Sequence, residues 1–173
     1  MAASRSDPGE RQAARPAFQR AKAEVGGRSD MVAYFSQVER VLAEVCYTRA
    51  VWRAELDAAV KLLARGKLVA GLAQAARLGH AYESSFADHG RAISEIKPPH
   101  GAERYHALLL DLLARLANAN ASLGRAATHR DTKLLMECGS LLRLTKQRFT
   151  DLSREKERLG QRWRLDETYD HEA

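Results

Sequence analysis

The chain has 173 residues, 45% of them apolar and 29% charged, which is enough for one globular domain with some spare length. With 11 glycines, 4 prolines and 2 cysteines, collagen-like, low-complexity and disulfide-scaffold classes are excluded. Aromatic residues are only 6%, the net charge is +6, and Ala, Leu, Arg and Glu dominate, a composition that favours helix over sheet.

Residues 1 to 28 carry Pro8, Gly9, Pro16, Gly26 and Gly27 among scattered charges, and the absence of a sustained apolar period predicts a disordered or weakly helical basic arm. Ser29 or Asp30 then offers an N-cap for a first helix, whose apolar seam runs Phe35, Val38, Leu42, Val45, Trp52, Leu56, Ala59 and Leu63. Arg49 breaks that seam. Gly66 is the expected C-terminal cap, and a second helix follows with Leu68, Leu72, Ala75, Gly79, Tyr82, Phe86, His89, Ile93 and Ile96 on one face. Pro98-Pro99 stops it, and Pro99 is expected in the first turn of helix three.

Helix three shows Ala102, Tyr105, Leu109, Leu112, Leu116, Ala119, Leu123 and Ala126 at three- and four-residue intervals. His129-Arg130-Asp131 is a polar break ending in a good N-cap. Helix four carries Leu135, Cys138, Leu142, Thr145, Phe149, Leu152, Leu159 and Trp163. Four amphipathic helices with short connections predict an all-α, antiparallel up-down-up-down bundle over residues 29–164, about 45 Å long, followed by an acidic tail at 165–173.

Antiparallel pairing also levels residues across the turns. His89 and His106 then face each other beside Tyr105, a pair that could hold a metal, haem or polar ligand, although core histidines of this kind are usually structural. Arg49 falls level with Glu83, a carboxylate that a seam guanidinium would need. These five residues, Arg49, Glu83, His89, Tyr105 and His106, are the candidate ligand site. Glu103-Arg-Tyr-His106 and His80-Ala-Tyr-Glu83 echo di-iron spacing, but His80 is expected opposite residue 117 and far along the axis from His106, so no metal site is assigned. Cys46 and Cys138 lack metal or redox spacing and read as small core residues, too far apart to pair.

No nucleophile elbow, phosphate loop, nucleotide fingerprint or zinc-protease helix occurs, so neither catalytic residues nor a cofactor are expected. The basic residues of helix four, from Lys133 through Arg164, wrap around it among Glu137, Asp151, Glu155 and Glu157, a solvated face rather than a nucleic-acid reading surface. No run reaches the roughly 20 apolar residues of a membrane span. The start shows no secretory core, so a cytoplasmic location is expected, or an extracytoplasmic one if the assigned start omits a signal segment.

The stretch Ile93-Ser-Glu-Ile96-Lys-Pro98-Pro99 followed by Tyr105-His106-Ala-Leu resembles the hinge of uncharacterised bacterial helical-bundle proteins, many of them lipoprotein-like. The resemblance implies an all-helical fold and no known activity. The expected function is therefore non-catalytic: a bundle that binds a protein partner or assembles with itself. The alternatives are a small-ligand or metal-binding bundle using His89 and His106, and a basic module on nucleic acid or anionic membrane.

Overall fold

The structure, a computed structural model, describes residues 8–163 and 165, with side chains from Gly27 onward apart from those at 132, 135, 136 and 139. Among these residues it is a four-helix, all-α bundle: α1 (Pro8–Ala64), α2 (Leu68–Ser94), α3 (Glu103–His129) and α4 (Thr132–Trp163). The acidic tail from 166 on and the first seven residues lie outside the described residues. No described helix is long and apolar enough to cross a membrane.

α1 is continuous over 57 residues and does not begin at Ser29-Asp30. Proline is well placed at the first position of a helix, and that is where Pro8 stands. The Gly26-Gly27 pair, which reads as a breaker, has another use. A Cβ on Gly27 would lie 3.0 Å from the Trp163 ring, so the missing side chain lets the end of α4 seat against α1. The expected arm is thus helical backbone from Pro8 on.

The closest backbone packing is between α2 and α3, then between α3 and α4 and between α1 and α2, while α1 meets α3 and α4 through side chains such as Phe35 on Tyr105 and Arg49 on Phe149. α3 buries the most, from Tyr105 and His106 through Leu109, Leu112 and Leu116 to Ala126 and Ala127. The core divides by residue size along the bundle. At the Pro98-Pro99 end it is large and aromatic: Met31, Tyr34, Phe35, Ile93, Tyr105 and Leu159 are buried together. Phe35 and Tyr105 sit 5.3 Å apart in a tilted pair, and Tyr34 meets both rings edge-on. At the other end a small cluster holds Ala75, Leu123, Ala127 and Cys138.

The connections explain the registers. Asp131 Oδ1 accepts from the amides of Lys133 and Leu134, so the expected N-cap is present and the α3–α4 turn is tight. Arg130 supplies the left-handed residue at φ 53°. Pro99 is not in the first turn of α3: its carbonyl accepts from Ala102 N at 3.0 Å, Gly101 turns at φ 96°, and the helical ladder starts with His106 N to Ala102 O. That longer turn slides α3 along α2. His80 therefore packs on Gly124 instead of residue 117.

Candidate functional site

The five expected ligand residues are not brought to one place. His89 Nε2 lies 3.1 Å from Thr48 Oγ1, tying α2 to α1, while His106 Nδ1 lies 3.1 Å from the Tyr34 hydroxyl, tying α3 to α1. The shifted register separates them: Gly90, beside His89, packs at Leu113, about two turns of α3 beyond His106. Burial lowers the His106 pKa below its ordinary value, as an imidazole in an aromatic pocket requires. Tyr105 is a core ring whose hydroxyl is pushed up to about 12 by burial and then by Glu39. Arg49 does not pair with Glu83. Its guanidinium stacks over Phe149 of α4, 4.2 Å from the ring centroid, because its seam position turns toward α4 and not toward α2.

Other polar ties hold the bundle. Glu155, buried on α4, takes hydrogen bonds from Arg158, which hold its carboxyl below the usual range, and lies 3.8 Å from Arg104. Asp111 pairs with Arg115 and Arg148, and Lys156 with Glu39. Several cations of α4 are thus neutralised by neighbours. Among the described residues, no three His, Cys, Asp or Glu side chains are grouped to hold a metal.

A groove of about 800 Å³ lies between α1 and α4, bordered by polar side chains and bridged by the Glu39–Lys156 pair. A smaller cleft of about 680 Å³ lies at the opposite end and differs in kind. All four helices wall it: Leu56, Ala59, Val60 and Leu63 from α1, Leu68, Leu72 and Ala75 from α2, Leu123, Ala126 and Ala127 from α3, and Cys138 and Leu142 from α4. Arg130 and Asp131 complete the rim. Its size and nearly pure apolar lining are those of small-molecule sites, which place a few polar groups at one edge of a greasy hollow.

The cause of the hollow lies in the seam. Ala59, Ala75 and Ala126 occupy core positions where the other layers carry Leu, Phe or Trp, and in the folded register they face into the same layer. Three methyl groups cannot fill a layer that leucines would close. The hollow reaches the surface at Val60 and Leu68, which are 54% and 55% exposed. Cys138, 3% exposed, donates its thiol to Ala119 O at 3.3 Å, and burial raises its pKa, which favours the protonated thiol over the reactive thiolate.

Sequence reasoning missed this cleft although every alanine was visible on its seam. The signal was a run of small residues at matching levels of three helices, and it needs the true α2–α3 register to be read. No protein family, curated protein or solved structure matches the chain.

Proposed function

We propose that the chain is a non-catalytic binding protein whose working site is the alanine-layered cleft, taking a small apolar molecule. One observation carries this reading: about 680 Å³ inside a folded bundle is walled almost wholly by apolar side chains and left unfilled by the protein itself. The small-ligand alternative is thereby kept, with the cleft replacing His89 and His106 as its site.

A neutral solvatochromic dye such as Nile red tests it. The wild-type chain should bind the dye saturably, and Ala75→Leu, which extends a side chain into the hollow, should abolish binding while raising stability by about 1 kcal/mol. Ala127→Leu serves as an independent filling variant. Absence of saturable binding, or equal binding by both filled variants, overturns the reading.

Self-association is the second reading, favoured by Leu68 and by Val69, which is 73% exposed beside it at the start of α2. Sedimentation of the wild type and of Val69→Ser decides it: a dimer lost in the variant supports this surface.

A further inference from the structure

The edge of the cleft says more about the ligand than its walls do, and the following step rests on the cleft being a ligand site. Two chain reversals border it, the α1–α2 turn and the α3–α4 turn. Within residues 61–67 and 129–133, Lys61, Arg65, Lys67, Arg130 and Lys133 stand against one acid, Asp131. All five cations are exposed. Asp131 is half-buried, and its Oδ1 already accepts two amides of α4, so its charge is directed into the helix start.

Arg130 is different from the other four in that it lines the cleft. Its backbone is left-handed at φ 53°, its side chain is exposed, and among the described residues no carboxylate pairs with it. On the facing side, α2 starts at Leu68 with Lys67 as its N-cap and no side-chain hydrogen bond to the first-turn amides. No acidic residue occurs in that first turn. Leu68, the first residue of α2, is itself a cleft wall. The mouth therefore offers positive charge on both sides and uncapped amide donors on the α2 side, over a floor with no polar side chain save a thiol already bonded to the backbone.

We propose that the cleft binds a straight-chain amphipathic monoanion, a long-chain carboxylate, with its alkyl chain along Ala59, Ala75 and Ala126 and its head at Arg130. A neutral chain would bury the same apolar surface but leave the cations unanswered. A cationic head would be repelled. Arginine also matches a carboxylate geometrically, since its planar fork can donate two parallel hydrogen bonds.

The experiment is displacement of Nile red from the full chain by octanoate, decanoate and dodecanoate, by dodecanol, and by dodecyltrimethylammonium, each below its micellar range. Affinity should climb by up to about fourfold per added methylene until the hollow is filled. Dodecanoate should bind at least about tenfold tighter than dodecanol, with an advantage that shrinks as salt is added, and the ammonium should bind weakest. Arg130→Asn, chosen because asparagine tolerates the left-handed conformation, should reduce dodecanoate to the level of dodecanol and leave dodecanol unchanged, while Arg130→Lys should recover part of the difference. Equal binding of dodecanoate and dodecanol, or an Arg130→Asn chain that still prefers the anion, overturns the assignment while the cleft remains a ligand site. Dye binding that no chain molecule displaces overturns it too. Failure of the dye itself to bind removes the site altogether. Retention on phosphatidylserine vesicles without any displacement by dodecanoate would make the cations a membrane-surface patch and also overturns the proposal.

Discussion

Gly79 of α2 and Gly124 of α3 touch backbone to backbone. A Cβ built on Gly79 would sit on the amide nitrogen and Cα of Gly124 and 2.7 Å from the Asn120 carbonyl, so no side chain fits between the two helices at this point. A Cβ on Gly124 would meet the His80 ring at 3.2 Å and the His80 amide nitrogen at 3.4 Å, a milder crowding. Gly79→Ala should therefore push α2 and α3 apart and cost about 3 kcal/mol or more, whereas Gly124→Ala should cost clearly less. Urea midpoints of the two variants check the order, and equal losses would contradict the contact.

The same contact shows where the sequence could be read and where it could not. The α3–α4 connection is short, so the level of Cys138 with Ala119 and of Asp111 with Arg148 follows from counting residues back from Asp131, and both pairs are present. The α2–α3 connection contains Gly101 at positive φ and a carbonyl closure from Pro99, neither of which a Pro-Pro motif announces, and the count slips there. That slip created the apparent His89–His106 pair and hid the alanine layer. Arg49 illustrates a second limit: its seam position was plain, but the direction it faces depends on helix rotation, and the ring of Phe149 replaced the carboxylate expected at Glu83. Cys46 shows the same uncertainty of one position around the helix, since it is exposed while its neighbour Val45 is buried.

The two thiols should be chemically distinct. Both cysteines are free, Cys46 at the surface and Cys138 inside, its thiol bonded to Ala119 O and its pKa raised by burial. A small thiol reagent should modify Cys46 at once in the native protein and Cys138 only on a slow phase, because the thiolate is the reacting form and burial suppresses it. Cys46→Ser should remove the fast phase alone. Fast modification of both groups under native conditions would contradict the burial of Cys138.

Asp131 joins the α3–α4 turn to α4 by one oxygen shared between two amides, at 2.9 Å from Lys133 N and 3.2 Å from Leu134 N. Asp131→Ala should lower stability by about 1 kcal/mol, and Asp131→Ser or Asp131→Asn should restore most of it by supplying another acceptor. Thermal unfolding of the three variants checks the series. An alanine variant as stable as the wild type would mean that water caps the helix equally well.

His106 should give the bundle a pH dependence in a window of its own. Burial in the aromatic pocket lowers its pKa, and the Tyr34 phenol beside it is raised far above its ordinary value by burial, so near neutral pH the pair is a protonated hydroxyl and a neutral imidazole. In the unfolded chain the histidine titrates at about 6.5, so as pH falls below that value the unfolded chain takes up a proton first. Stability from this group is then full above about pH 6.5 and declines as pH drops toward the lower folded-state pKa, below which it falls no further. The carboxylates act elsewhere: hydrogen bonds and charge from Arg115 and Arg158 lower the pKa of Asp111 and Glu155, so their contribution persists above the unfolded carboxylate range of about 4 and is lost only in stronger acid. Urea midpoints should accordingly fall as pH drops below about 6.5, level off once His106 is protonated in the folded chain as well, and drop again below about pH 4. His106→Gln, which retains a hydrogen-bonding partner for Tyr34 but does not titrate, should erase the first step and keep the second. A first step that survives intact in that variant would assign it to another histidine and remove His106 from the pH response.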